Sequence, residues 1–216
     1  MTRTRYLLLL CLSAAACLFA GTGARAVEPP ATRENAEICR QAIAESEKSL
    51  DLPFGILQAI SLAESGRWDR DSQERFAWPW TVMARGEGKY YPSRAEAIEA
   101  VRRLKAEGVR NIDVGCMQVN LHYHPNAFAS LEEAFDPAAN TRYAGELFAK
   151  LREAQRSISR AIAHYHSTTR TFNEPYKKKV MRLWNEERRR HYEAERLRKL
   201  AEWKAQRDKR QKLAAN

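Results

Sequence analysis

Leu57-Gln58-Ala59-Ile60-Ser61-Leu62-Ala63-Glu64-Ser65-Gly66 joins a helical apolar stripe to a single acid. Ile56, Ile60 and Ala63 fall at i, i+4 and i+7 on one face of a helix, and Glu64, at i+8 from Ile56, borders that face. Asp51 is the expected N-cap, Pro53 sits in the first turn, and Gly66 is the expected stop. Glu64 would then occupy the last turn, at the negative end of the helix dipole and partly desolvated. Both effects raise a carboxyl pKa, and a general acid working near neutral pH needs that. The plainer alternative is a glutamate leaning into solvent from a helix end, and the rest of the sequence decides between them.

The chain has 216 residues, 44% of them hydrophobic, enough for one good core and a tail. Arg3 and Arg5 precede an apolar run from Tyr6 to Ala20, and Ala24-Arg25-Ala26 places small residues at the A-x-A positions. Residues 1–26 therefore read as a signal peptide cleaved before Val27, making the mature chain exported and periplasmic. A lipid attachment through Cys17 fits less well, because Ala14-Ala15-Ala16 precedes it where a larger aliphatic residue is expected. The run is short for a membrane span and no later stretch is apolar enough, so no stable span is expected. Cleavage would leave two cysteines, Cys39 and Cys116. In an oxidising compartment these are expected to pair, for about 4 kcal/mol in the chain-entropy model; two buried thiols are the alternative.

The formal charge of +10 is unevenly placed. Residues 177–216 hold 15 basic and 6 acidic side chains, residues 1–26 hold three arginines, and residues 27–176 are left slightly negative. Basicity belongs to the tail, so no nucleic-acid partner is expected.

A mainly α (α+β) fold is expected from the patterning. A helix over Asn35 to Lys48 turns Ile38, Ala42 and Ile43 inward with Cys39 beside them. After the Glu64 helix, Phe76, Trp78, Trp80, Val82 and Ala84 alternate, Gly86-Glu87-Gly88 turns, and Lys89-Tyr90-Tyr91 returns, which predicts a small inserted β-hairpin. Ser93 with Glu96 forms a capping box for a helix over Arg94 to Glu107, stopped by Gly108. Ser130 with Glu133 caps a short helix. Asp136-Pro137 opens a longer one with Ala144, Leu147, Phe148 and Leu151 on one stripe, and another runs from Ser157 to His166. Tyr176, Val180, Leu183 and Trp184 continue a helical stripe before the charge rises through Arg188-Arg189-Arg190 to Lys212. The expected division is a domain over residues 27–185 and a solvated basic helical tail over 186–216.

Gly115-Cys116-Met117-Gln118-Val119-Asn120 comes after an expected turn at Asn111 to Asp113; Gln118 and Asn120 offer donors and acceptors suited to sugar hydroxyls and acetamido groups. With Glu64-Ser65 upstream and Ala163-His164-Tyr165 downstream, this segment resembles the three-part signature of the soluble-lytic-transglycosylase (SLT) type of lytic transglycosylase, in the lysozyme-like superfamily. The order is a Glu-Ser pair ending a helix, then Gly-x-Met-Gln, then Ala-x-Tyr, over roughly residues 35–185. The resemblance implies a lysozyme-like helical domain acting on peptidoglycan glycan strands without a cofactor. It implies Glu64 as the single acid/base, protonating the glycosidic oxygen between N-acetylmuramic acid and N-acetylglucosamine and then deprotonating the C6 hydroxyl to leave a 1,6-anhydro end. It also implies that Met117 and Gln118 line the cleft, that Tyr165 bonds to and orients Glu64, and that Ser65 contacts glycan or peptide stem. One departure is His166, which stands where the family has asparagine.

Trp78, Trp80, Tyr90 and Tyr91 are either shelves for sugar faces or the core of their own hairpin. His122/His124 and His164/His166 form two H-x-H pairs. Helical residues two apart point about 200° apart, so no metal site is expected at His164/His166. The chain reads as a monomer whose basic tail is first a solvated face; the functional alternative is attraction to an anionic envelope surface or docking on a secretion or flagellar apparatus. Two alternatives stand. A hydrolytic muramidase would need a second carboxylate from Asp69, Asp71 or Asp113, and a non-catalytic glycan-binding component of a wall-spanning machine would need none.

Overall fold

Helix α1 (Ala31–Ser49) begins the part of the chain described by the computed structural model, residues 31–70 and 72–214. The expected signal segment over residues 1–26, the cysteines within it and Asp71 lie outside the described residues. α1 turns Cys39, Ala42 and Ile43 inward, as its apolar spacing dictates. Helix α2 (Ile56–Glu64) comes next and is the most deeply placed element: Ile56, Leu57, Ala59 and Ile60 are fully buried. Its start differs from expectation. Asp51 does not cap it; Gly55, in the left-handed region, occupies the N-cap with no side-chain bond of its own. The cap comes from α1, where Glu47 accepts from the Gly55 and Leu57 amides at 2.8 and 2.7 Å and from Gln58 at 3.3 Å. A carboxylate from a neighbouring helix thus satisfies the free N–H groups and faces the positive end of the dipole.

The β part is larger than one hairpin. Strands β1 (Gly66–Asp69) and β2 (Glu74–Ala77) form one antiparallel pair, and a four-stranded antiparallel sheet has the order β4-β3-β5-β6. Its members are β3 (Thr81–Ala84), β4 (Glu87–Tyr90), β5 (Ile112–Val114) and β6 (Val119–Asn120). Ala84 pairs with Glu87, so the tight turn is Arg85-Gly86, both at positive φ, and the expected turn at Gly86-Glu87-Gly88 moves one residue towards the N-terminus. The expected turn at Asn111 to Asp113 is largely strand β5, whose Val114 pairs with Val82 of β3. Helix α3 (Arg94–Ala106) packs on this sheet with Ser93 as its cap, and Phe76, Trp78, Trp80, Val82, Val101 and Ile112 lie in the shared core.

The second half of the chain is helical: α4 (Leu131–Ala134), α5 (Pro137–Gln155), α6 (Ile158–His166) and α7 (Arg170–Ala214). Ser130, Asp136 and Ser157 cap α4, α5 and α6 through their side chains. The fold is mainly α with a small antiparallel β part. A disulfide between Cys39 and Cys116 ties α1 to the turn between β5 and β6. No helix among the described residues is long and apolar enough to cross a membrane. Helix α7 runs through the expected boundary at residue 185 without a break. Tyr176, Val180, Leu183 and Trp184 enter the helical core, and Glu187 and His191 still border the body beside Phe54. From Tyr192 onward nearly every residue is exposed.

Candidate active site

Ser65 caps the end of α2 and fixes the path of the chain beyond it. It is fully buried, its amide bonds to the Ser61 carbonyl at 2.8 Å, and its hydroxyl donates to the Cys116 carbonyl at 2.6 Å. Ser65, expected to contact glycan or peptide stem, is placed as a buried strut between α2 and the 115–118 turn. Gly66 is required by close approach, since a Cβ there would lie 2.1 Å from the Leu62 carbonyl oxygen.

The Gly115–Gln118 turn is clamped from the other side by Asn140 of α5, whose buried amide accepts from the Met117 N–H at 2.9 Å and donates to the Val114 and Ala134 carbonyls. Gly115 has φ +82° and passes so close to Asn140 that a Cβ would meet its amide nitrogen at 2.5 Å. Met117 is fully buried, so the side chain expected to line a cleft belongs to the core and only its carbonyl takes part, accepting from the Tyr165 hydroxyl at 3.1 Å. Gln118 adopts φ +49°; its Nε2 donates to the Thr81 and Gly115 carbonyls, and its buried Oε1 has no hydrogen-bond partner among the described residues. Asn120, expected to face sugar, holds a turn: its amide donates to Asn111 and Asp113 and accepts from the His122 and Tyr123 amides.

Glu64 is partly buried at the end of α2. Its Oε1 accepts from the hydroxyl of Tyr176 of α7 at 2.6 Å. The expected partner, Tyr165, bonds elsewhere, although it lies close enough for the Glu64 charge to act on its phenol. Burial pushes the Glu64 pKa up to about 7; the Tyr176 hydrogen bond pulls it down, the Asp113 carboxylate pushes it up, and the Lys179 ammonium pulls it down. Lys179 is held beside it by donating to the Ala63 carbonyl at 2.6 Å. Asp113, on β5, is itself shifted upward by burial against the Asn120 hydrogen bond. His166 stacks on Tyr176 with ring centroids 4.4 Å apart and planes 7° apart.

The three sequence segments thus meet in space, through Ser65 to Cys116 and Tyr165 to Met117. Tyr176, Asn140 and Lys179 join the site from outside those segments. Tyr176 carries the one available sequence signal, a hydroxyl on an otherwise apolar helical stripe, which needs a partner once buried. Trp78 and Trp80 are 3% and 8% exposed and donate to the Tyr91 carbonyl and Asn35, so they are core residues. The exposed rings on this side are Trp68 and Tyr90, whose hydroxyl donates to the Gly66 carbonyl. Compared with protein-family models, with curated proteins and with solved structures, the chain gives no significant match.

Proposed function

We propose that the chain is a peptidoglycan lytic transglycosylase with Glu64 as its single acid/base. The observation that carries this reading is the state of Glu64: a partly buried carboxyl with a pKa of about 7, one oxygen taken by Tyr176 and the other left to exchange a proton. The meeting of the three sequence segments, through Ser65 with Cys116 and Tyr165 with Met117, supports it.

In this reading protonated Oε2 gives its proton to the glycosidic oxygen and the bond from that oxygen to C1 of N-acetylmuramic acid breaks. The resulting carboxylate takes the proton of the C6 hydroxyl, whose oxygen bonds to C1 and closes the 1,6-anhydro ring. Glu64 ends protonated, as it began, and no water is consumed. Gln118, half-buried as a residue, is the side chain of the turn that this reading assigns to an acetamido group or hydroxyl of the bound sugar. Asp113 favours one second reading, hydrolysis, because it is the carboxylate whose charge reaches Glu64, and hydrolysis needs a second acid group or a positioned water.

Mass spectrometry of the muropeptides released from purified peptidoglycan separates the readings. Products lighter by one water than hydrolysed ends, absent with Glu64→Gln, are the expected result. Reducing ends would transfer the assignment to hydrolysis with Asp113. A folded chain that releases nothing would leave only glycan binding.

A further inference from the structure

Away from Glu64, a cavity of about 400 Å³ opens where α1, the start of α2, β2 and α7 meet. Its size falls in the range of small-ligand sites. Its charges are sorted by depth. On the floor lie Glu47, 6% exposed, and Glu187, whose side chain is 17% exposed. On the rim stand the guanidiniums of Arg40, Arg75 and Arg190 with the carboxylate of Glu74. Glu47 has committed both oxygens to the amides of α2, so it supplies field more than contact. Glu187 has Arg190 as partner on its outer side. Arg40 is only loosely paired with Glu37, at 3.6 Å with half of its side chain exposed, and Arg75 spends one nitrogen on the Gly66 carbonyl, keeping further N–H groups to offer. Phe54 and His191, with ring centroids 4.1 Å apart, form an aromatic wall.

We propose that this cavity binds a short zwitterionic peptide, with an ammonium group at Glu187, a carboxylate at Arg40 and Arg75, and its body against Phe54 and His191. A simple anion would meet the acidic floor, and a simple cation would meet the guanidiniums of Arg40 and Arg75 at the rim; a molecule carrying both charges a few ångströms apart matches both layers. The cavity flanks α2, whose nine residues span about 14 Å, and Arg75 reaches from its rim to Gly66, two residues past Glu64. Peptide stems of peptidoglycan carry such charges, and choosing them as the ligand rests on the function proposed above.

The test is calorimetric titration of the whole mature chain with the tripeptide L-alanyl-γ-D-glutamyl-meso-diaminopimelate, beside a copy with its amines acetylated and its carboxylates amidated. Saturable binding of the charged peptide alone is expected, equal in wild type and Glu64→Gln and weakened about tenfold in Glu187→Gln. Arg40→Gln, an exposed position, should weaken it too and serves as the reading if Glu187→Gln does not fold. Absence of binding, equal binding of the neutral copy, or a loss confined to Glu64→Gln would overturn the proposal. Glu187-dependent binding by a chain that releases no muropeptides would refute the transglycosylase reading and leave this site standing.

Discussion

The hydroxyl of Tyr176 lies 2.6 Å from Oε1 of Glu64, a hydrogen bond between residues 112 positions apart that joins α7 to the end of α2. It favours the charged carboxylate, whereas burial favours the neutral acid, and burial wins. Tyr176→Phe removes the opposing effect. The proposed reaction starts from protonated Glu64, so activity should fall as pH rises through about 7 in the wild type, and in Tyr176→Phe that descending limb should move to higher pH while kcat drops about tenfold. A pH–rate profile reads both; an unmoved limb would separate Tyr176 from Glu64.

Glu64 also leaves a mark on stability. Its proton is held more tightly in the folded chain, at about 7 against the ordinary 4.5, so the unfolded chain loses the proton first. The contribution of this group is fully present below about pH 4.5 and is lost as pH rises through about 7, a decline of roughly 2 to 3 kcal/mol. Asp113 and Glu47 are shifted upward too and add to the same slope. Glu64→Gln should flatten its share and raise Tm at pH 8 by roughly 5 to 10 °C, measured by thermal unfolding across pH.

Asn140 closes three hydrogen bonds on the 114–117 segment and on Ala134 from a fully buried position. Asn140→Ala leaves those groups unpaired in the core and should cost about 3 kcal/mol or more. Ser65→Ala, which frees one carbonyl, should cost about 1 to 2 kcal/mol. Denaturant titration gives both, and a smaller loss for Asn140→Ala than for Ser65→Ala would contradict the clamp.

Glu47 caps α2 from a different helix, and Glu47→Ala should destabilise by about 2 to 3 kcal/mol, well above the usual loss of a surface cap. The substitution strips a charge-assisted acceptor from three amides at once. Chemical denaturation of the variant tests it.

Truncation distinguishes the continuous helix from the two-part division read from composition. Ending the chain after Tyr192 removes residues that are almost all exposed and should leave Tm within about 1 °C. Ending it after Asn185 also removes Glu187 and the His191 ring on Phe54, and should lower Tm measurably.

The helices are legible in the sequence because their signals are local. Ser93, Ser130, Asp136 and Ser157 announce their own helix starts, and the stripes on α1, α2 and α5 arise from spacing. The pairing of Cys39 with Cys116, expected over two buried thiols for an exported chain, is present. The features that escape depend on residues far apart in the chain. Asp51 offers a local cap, yet Glu47 prevails because α1 lies against the start of α2. Glu64 has Tyr176 rather than Tyr165, because the stripe of α7 carries that phenol past the end of α2 while the hydroxyl of Tyr165 reaches the Met117 carbonyl. Aromatic alternation in Trp78 and Trp80 marks burial, and only the packing of α3 on the sheet shows that they face inward.

Helix α7 holds Tyr176 at one end and reaches solvent at the other without a break. The run from Tyr176 to Leu213 measures about 55 Å. The far turns of this rod therefore stand clear of the body, while its near turns hold the end of α2 at two adjacent points, the Tyr176 hydroxyl on Glu64 and the Lys179 ammonium on the Ala63 carbonyl.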